Sequence, residues 1–426
     1  MTLLIFIVVL FALILIGMPV AFSLIATSIV LMFYLDVFST QVIATNMISG
    51  ADNFPLMAIP FFVLAGEIMN AGGMSNRIVN FAMSLFGHIR GGLGYVSIFA
   101  GVLLAGLSGS AVADTAMLGA ILIPMMVKAG YSREKSTGLI ASSGIIAPIL
   151  PPSIPLIVFG VTSGVSITSL FMAGIVPGIM MAIGLVIIWA LMMKKGDVTV
   201  LPRKSAKDVW KGLLSSFWAL LLPVIIIVGL RGGIFTPTEA GVVAAFYALL
   251  ISVVIYRELK LSALYEVLVA TAKTTSTVMF LIAAAMISAY LITISDIPMV
   301  ISDFLGPFTE NPTVLMLVIV FILFVVGTAM DITPAILILV PILMPLVKMA
   351  GINEVYFGIV FVFVLTISLL TPPVGTVMNV AAAVGKVSIA QFVKGVWPFL
   401  VVYSIIAILL VLFPSIVLVP LEFFLK

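Results

Sequence analysis

The sequence predicts an all-α polytopic membrane protein, and three observations predict it. Hydrophobic residues make up 63% of the 426 residues and charged residues only 8%, more apolar surface than a soluble domain can bury. The apolar residues gather in runs of roughly 15–22, the length that crosses a bilayer as a helix. Two of the runs carry a Pro-Pro pair, at 151–152 and 372–373. Each proline lacks a backbone N–H and clashes with the preceding turn, so no continuous helix passes through either pair.

In chain order, spans are predicted at 2–17, 19–35, 55–71, 136–163, 169–193, 213–230, 238–256, 275–295, 355–384 and 398–419. No basic n-region precedes the first run, so it reads as a retained span and not as a cleaved leader. Two further regions, 92–127 and 313–347, hold two apolar arms around a polar centre, GLSGSAVADT at 106–115 and GTAMDITP at 327–334. Arms of about fifteen residues that return to the same side describe re-entrant helical hairpins. Two stretches, 37–52 and 258–273, place apolar residues at helical spacing with polar flanks and read as interfacial amphipathic helices.

Breaks at 141–153 (ASSGIIAPILPPS) and 366–379 (TISLLTPPVGTVMN) free backbone carbonyls within apolar spans. That is tolerated only where the carbonyls are buried in protein or line a cavity. The two breaks are also in register. Pro151 and Pro372 lie 221 residues apart, and the same offset relates Gly130 to Gly351, Gly174 to Gly395 and Pro177 to Pro398. Upstream the offset drifts to 217 (Asp114, Asp331) and 218 (Pro19, Pro237), as a short insertion requires. The chain therefore reads as two repeats, 1–194 and 213–426, joined by a polar linker at 195–212.

Basic residues set the orientation. Arg77, Arg90, Lys128, Arg133 and Lys135 fall on one side with Lys194, Lys195, Arg203, Lys204, Lys207 and Lys211 of the linker. Arg257, Lys260, Lys386 and Lys394 join them if the hairpins do not cross, and only Arg231, Lys348 and Lys426 fall opposite. Asp36, Asp52, Asp296, Asp303 and Glu310 cluster on the sparse side. The rich side is the cytoplasm, both termini face the periplasm, and each repeat crosses five times. An odd number inverts the second repeat, the plan of secondary transporters.

Composition excludes much else. With no cysteine and one histidine, His88, there is little material for a nucleophile–base pair or a transition-metal site, so no enzyme is expected. The net charge of +3 reflects loop topology and is no nucleic-acid footprint. A passive channel has little use for paired broken helices in an inverted repeat.

GLSGSAVADTAMLGAILIPMM at 106–126, SSGIIAPILPPSIPLIVFG at 142–160 and LTPPVGTVMNVAAAVGKVS at 370–388 resemble the large membrane subunit of tripartite ATP-independent periplasmic (TRAP) transporters, and the likeness runs through the whole chain. The resemblance implies a sodium-driven importer of an organic acid in the bacterial inner membrane. It implies two partners, a small four-helix membrane subunit and a periplasmic substrate-binding protein. The chain opens at the first large-subunit helix, so the small subunit is expected as a separate chain. Sialic acid is favoured slightly over C4-dicarboxylates as substrate. A standalone sodium-coupled dicarboxylate or citrate-type carrier is the alternative. No cofactor is expected beyond sodium as coupling ion.

Sodium takes about five or six oxygen ligands, and carbonyls and hydroxyls suit it. The first candidate cage is Ser108, Gly109, Ser110 and Asp114 with Ser143, Gly144 and Pro148. The second is Gly327, Thr328, Met330 and Asp331 with Ser368, Thr371 and Pro373. Asp114 and Asp331 are read either as ligands or as helix caps. No Lys or Arg is read at midplane depth, which leaves half-helix N-termini and bound sodium to hold an anion. Ser153, Thr376 and Asn379, just past the breaks, are the candidate substrate contacts. A transport body of 92–163 and 313–384 is expected to move as a unit, elevator-fashion, against a scaffold made by the remainder.

Overall fold

The protein is seen in a computed structural model that describes residues 1–195, 199–295 and 297–425. Asp296 and Lys426 of the orientation argument lie outside the described residues, as does the side chain of Asp303. The described residues form helices and connections, with no strand among them. Nine of the described helices are long and apolar enough to cross a membrane.

Both polar-centred regions fold as helix–turn–helix hairpins. The first pairs Gly92–Ser108 with Ala111–Lys128, and the second pairs Pro312–Ala329 with Ile332–Met349. Each proline-paired span is two half-helices. Arg133–Gly144 and Ile154–Ser163 flank the first break, and Glu354–Ser368 and Thr376–Gly385 flank the second. Both Pro-Pro bonds are cis. A long helix follows each, Ile167–Met192 and Ile389–Leu412.

The flanking helices depart from the sequence reading in two places. Residues 258–273 were expected as a separate interfacial helix, but Leu261–Ile294 is one helix of 34 residues, about 50 Å long. No glycine or proline interrupts it. Its counterpart does break: Thr40–Ala51 ends beside Gly50, and Pro55 opens a short 3-10 turn, Phe54–Met57, before Ala58–Ala71. Two short helices at matching positions, Met74–Phe86 and Ile297–Thr309, lead into the hairpins and are missing from the expected spans.

Two sets of packed helices can be described, and they touch where Met74–Phe86 meets Gly92–Ser108 and where Leu261–Ile294 meets Ile332–Met349. Leu261–Ile294 lies against Val20–Tyr34, Thr40–Ala51 and Ala58–Ala71, and Ala58–Ala71 lies against Pro237–Leu250. Ala206–Arg231 packs on Met74–Phe86. Polar pins hold this group, among them Ser28 Oγ to Ser288 Oγ at 2.9 Å and an Arg77–Glu258 ion pair at 2.6 Å. Thr236 and Glu239 close a capping box at the start of Pro237–Leu250.

The second group is built on the broken helices and hairpins, and it includes the two long helices that follow the breaks. Arg133–Gly144 packs along Ile389–Leu412, where the Tyr403 hydroxyl donates to the Ser142 carbonyl at 2.7 Å, fully buried. The Tyr356 hydroxyl donates to the Leu410 carbonyl at 3.1 Å, and Trp189 Nε1 donates to the Gly91 carbonyl at 2.8 Å. The two backbones nearly touch at Gly138, where an added Cβ would lie 2.7 Å from the carbonyl carbon of Gly395 and 2.8 Å from its oxygen. Backbone meets backbone here, as small residues permit between helices in lipid. Gly138→Ala is therefore expected to cost about 1–3 kcal/mol, read as a lowered thermal midpoint in detergent. An unchanged midpoint would show that the helices separate freely at this crossing.

Candidate functional site

Each hairpin turn sits on the opposite break of its own repeat. In the first, Gly109 has φ +60°, and a Cβ there would lie 2.7 Å from the Pro152 carbonyl oxygen, so only glycine fits both the turn and the contact. Ser110 caps Ala111–Lys128 by accepting the Ala113 N–H at 3.3 Å, and Ser108 Oγ accepts the Ser110 N–H at 3.2 Å. Because Ser110 takes the cap, Asp114 one turn further is free for another task. Its side chain is 2% exposed, and Oδ2 makes no hydrogen bond. The next residue, Thr115, is fully buried with an equally unpartnered Oγ1, which lies against Gly144 at the end of the first half-helix.

Each of these buried, unpartnered oxygens is costly unless something satisfies it. Thr115 Oγ1 lies at the C-terminal end of Arg133–Gly144, the negative end of its dipole. A small hard cation matches that donor set, and sodium is such a cation. Ser143 is close by, but its hydroxyl donates within its own helix to the Leu139 carbonyl at 2.9 Å. Pro148 accepts from Ser153 Oγ at 2.5 Å.

The second tip is wired differently. Asp331 itself caps Ile332–Met349, accepting the Ile332 N–H at 2.9 Å, and Thr376 Oγ1 faces the same oxygen at 3.4 Å. The Val374 N–H donates to the Thr328 carbonyl at 3.0 Å, tying break to tip through the backbone. Gly327 lies flat on Ser368, whose hydroxyl donates to the Phe324 carbonyl of the hairpin's first arm at 3.3 Å. Thr371 Oγ1 donates to the Ser368 carbonyl at 2.7 Å, Thr328 Oγ1 to Val325 at 2.7 Å, and Met330 is buried. Asp114 and Asp331, equivalent in the sequence, thus do different jobs. Among the described residues no three His, Cys, Asp or Glu side chains converge.

The two tips meet across one cavity of about 200 Å³. Gly109, Ser110 and Pro148 line it from the first repeat, Asp331 and Thr333 from the second, and Thr274 from the long helix. Val278, Asp331 and Thr333 also line a wider adjoining cavity of about 600 Å³, with Ser276 and Thr277. The polar run 273–277 of Leu261–Ile294 therefore opens on both tips, and it brings exposed Lys273 one residue from Thr274. Sequence reasoning ended an interfacial arm at Lys273 and began a span at 275, and so missed the lysine.

Of the three residues chosen as substrate contacts, none is among those lining the smaller cavity. Ser153 is fully buried, accepts the Leu156 N–H at 3.2 Å and caps the second half-helix. Asn379 Nδ2 donates to the Val374 carbonyl at 2.5 Å, which holds the break in shape. Thr376 reaches the Asp331 carboxylate as given above. Thr115, Thr274 and Thr333 are the polar residues that sequence reasoning did not select. The signal for Thr115 was its place beside Asp114 at the hairpin centre.

The fold and the sequence have relatives. A solved structure of the YdaH transporter of Alcanivorax borkumensis superposes with a TM-score of 0.59, covering 88% of each chain at 15% identity, a likeness of fold alone. Residues 7–416 match the family described as "Tripartite ATP-independent periplasmic transporter, DctM component". A putative TRAP transporter large permease protein of Haemophilus influenzae is 52% identical over 422 residues, 99% of each chain. The 2,3-diketo-L-gulonate TRAP transporter large permease protein YiaN of Escherichia coli is 51% identical over 96% of each chain. The sialic acid TRAP transporter large permease protein SiaM of Vibrio cholerae is 40% identical over 96% of each. At that coverage and identity the chain belongs to the DctM family: it is a multi-pass TRAP transporter large permease subunit and not an enzyme.

Proposed function

We propose that this subunit couples sodium entry to import of an organic acid, and one observation carries the proposal. The unpartnered oxygens of Asp114 and Thr115, buried where the first hairpin tip meets the first half-helix, need a cation. Ser108, Gly109, Ser110, Ser143, Gly144 and Pro148 surround them as the first site. Gly327, Thr328, Met330, Asp331, Ser368, Thr371 and Pro373 form the second. The substrate lies between the tips, with Ser110, Thr274 and Thr333 lining its cavity and Ser153, Thr376 and Asn379 holding the breaks that shape it. Lys273 supplies positive potential beside it.

The substrate we propose is a polyhydroxylated keto-acid. Two relatives are named for such acids, 2,3-diketo-L-gulonate and sialic acid, and the identity to the first is higher. A separate small four-helix subunit and a periplasmic binding protein complete the transporter in the bacterial inner membrane, with both termini periplasmic. The many relatives named as TRAP permeases speak against a standalone carrier.

The test is uptake into proteoliposomes holding this chain and its partners, with each acid as substrate. Replacing sodium with choline is expected to reduce uptake to background, and an inside-negative potential to stimulate it, by up to about 2.3 kcal/mol per net charge per 100 mV. Uptake that persists in choline under a proton gradient overturns the sodium reading.

A further inference from the structure

A second cleft lies away from the hairpin tips, between Met74–Phe86 and the start of Ala206–Arg231. Its volume is about 800 Å³, and Phe81, Leu85, His88, Arg203, Lys204 and Trp210 line it. The end of the linker forms its rim. Two backbone bonds fix that stretch: the Thr199 N–H to the Ala129 carbonyl at 3.0 Å, and the Leu201 N–H to the Gly87 carbonyl at 3.2 Å. Arg203 and Lys204, two and three residues further on, are thereby held at the mouth.

Neither is in an ion pair among the described residues, where the ion pairs are Arg77–Glu258 and Lys348–Glu354. The nearby acid, Asp208, tempers Lys204 but is turned back on the helix start, with Ser205 Oγ donating to its Oδ2 at 2.7 Å. Deeper in the cleft, His88 Nδ1 is buried and makes no hydrogen bond. A buried ring nitrogen without a partner is a polar group still to be satisfied, and its residue lines the cleft. The opposite wall is apolar and aromatic, with Trp210 60% exposed at the point where Ala206–Arg231 turns from charged to apolar residues.

Two positive side chains and an open imidazole above an apolar wall match a phosphate ester carried on acyl chains. A free soluble anion would have no use for the wall. We propose that this cleft binds the headgroup of an anionic phospholipid, with Arg203 and Lys204 on the phosphate, His88 on a headgroup hydroxyl and the acyl chains along Phe81, Leu85 and Trp210. Basic pockets between helices at a membrane edge bind acidic headgroups in this way.

The test is native mass spectrometry of the full chain released from vesicles of equal phosphatidylglycerol and phosphatidylcholine. The expected spectrum retains a phosphatidylglycerol adduct and no phosphatidylcholine adduct. The Arg203→Ala/Lys204→Ala pair is expected to weaken retention by about tenfold or more. The thermal midpoint should stay unchanged, since both side chains are exposed. His88→Gln, a milder variant, is expected to weaken retention less. Equal retention of both lipids, or a double variant that binds like the parent, overturns the proposal. So does displacement of the lipid by millimolar inorganic phosphate alone, which would mark a free-anion site. Loss of the adduct when the small membrane subunit is present overturns it too, because the cleft would then be a subunit interface.

Discussion

Asp114→Asn reduces sodium-dependent uptake to near background while the protein remains folded: that is the expected result, and the geometry is specific about why. The carboxylate is buried, one of its oxygens has no hydrogen bond, and the neighbouring Thr115 hydroxyl is equally bare. A carboxylate buried beside the Ser108 hydroxyl still costs several kcal/mol unless a cation or proton joins it. Capping is not its role, because Ser110 already caps the helix. Asparagine keeps the shape and removes the charge, so it relieves that cost while deleting the strongest ligand.

Two readouts separate an ion site from a merely awkward buried acid. Sodium should raise the thermal midpoint of the parent protein, by an amount worth about 2.7 kcal/mol at a hundredfold excess over its dissociation constant. Asp114→Asn should abolish that shift without lowering the sodium-free midpoint. Thr115→Val, which loses one neutral oxygen, should raise the sodium needed for half-maximal uptake by about tenfold. Asp331→Ala is expected to impair uptake with a different signature. It removes a helix cap, so the sodium-free midpoint should also fall, by the equivalent of about 0.5–2 kcal/mol. Full uptake and an intact sodium shift in Asp114→Asn would end the assignment of the first site.

What the sequence disclosed here was backbone chemistry. A Pro-Pro pair in an apolar run forbids a helix whatever surrounds it, so both breaks were legible at 151–152 and 372–373. The polar centres between apolar arms were legible for the same reason: a Gly-Ser or Met-Asp turn has no other place to go. What stayed hidden depended on partners far away in the chain. Nothing local tells that Tyr403 reaches the Ser142 carbonyl 261 residues away, or that Gly138 lies on Gly395. Asp114 and Asp331 looked alike because each follows a hairpin centre. They part company in helix position: Asp331 is itself the N-cap of its helix, whereas Asp114 lies four residues past the cap, Ser110. The continuity of Leu261–Ile294 was misread because its charges were taken as an interface, although no helix-breaking residue was present to end it.

The second large effect concerns which helices move. If an elevator carries both tips past a fixed scaffold, crosslinks between the two groups should stop transport, and crosslinks within one group should not. Val278 of the long helix and Thr333 of the second hairpin line the same cavities from opposite groups. In Val278→Cys/Thr333→Cys a short thiol crosslinker is expected to abolish uptake, with no native cysteine to confuse the result. The boundary of the moving body is the finer question. Sequence reasoning confined it to 92–163 and 313–384, which leaves Ile389–Leu412 in the scaffold. Packing argues for a larger body. Arg133–Gly144 meets Ile389–Leu412 through the glycine contact and the buried Tyr403 bond, neither of which could be broken and remade in each cycle without exposing backbone polar groups in lipid. Glu134 and Lys394 stand on those two helices, close enough for their charges to interact. Crosslinking Glu134→Cys to Lys394→Cys is therefore expected to leave uptake at the rate of the uncrosslinked variant. Were that crosslink to halt transport while Val278–Thr333 left it running, the sliding surface would lie along Ile389–Leu412, and the body would be the smaller one.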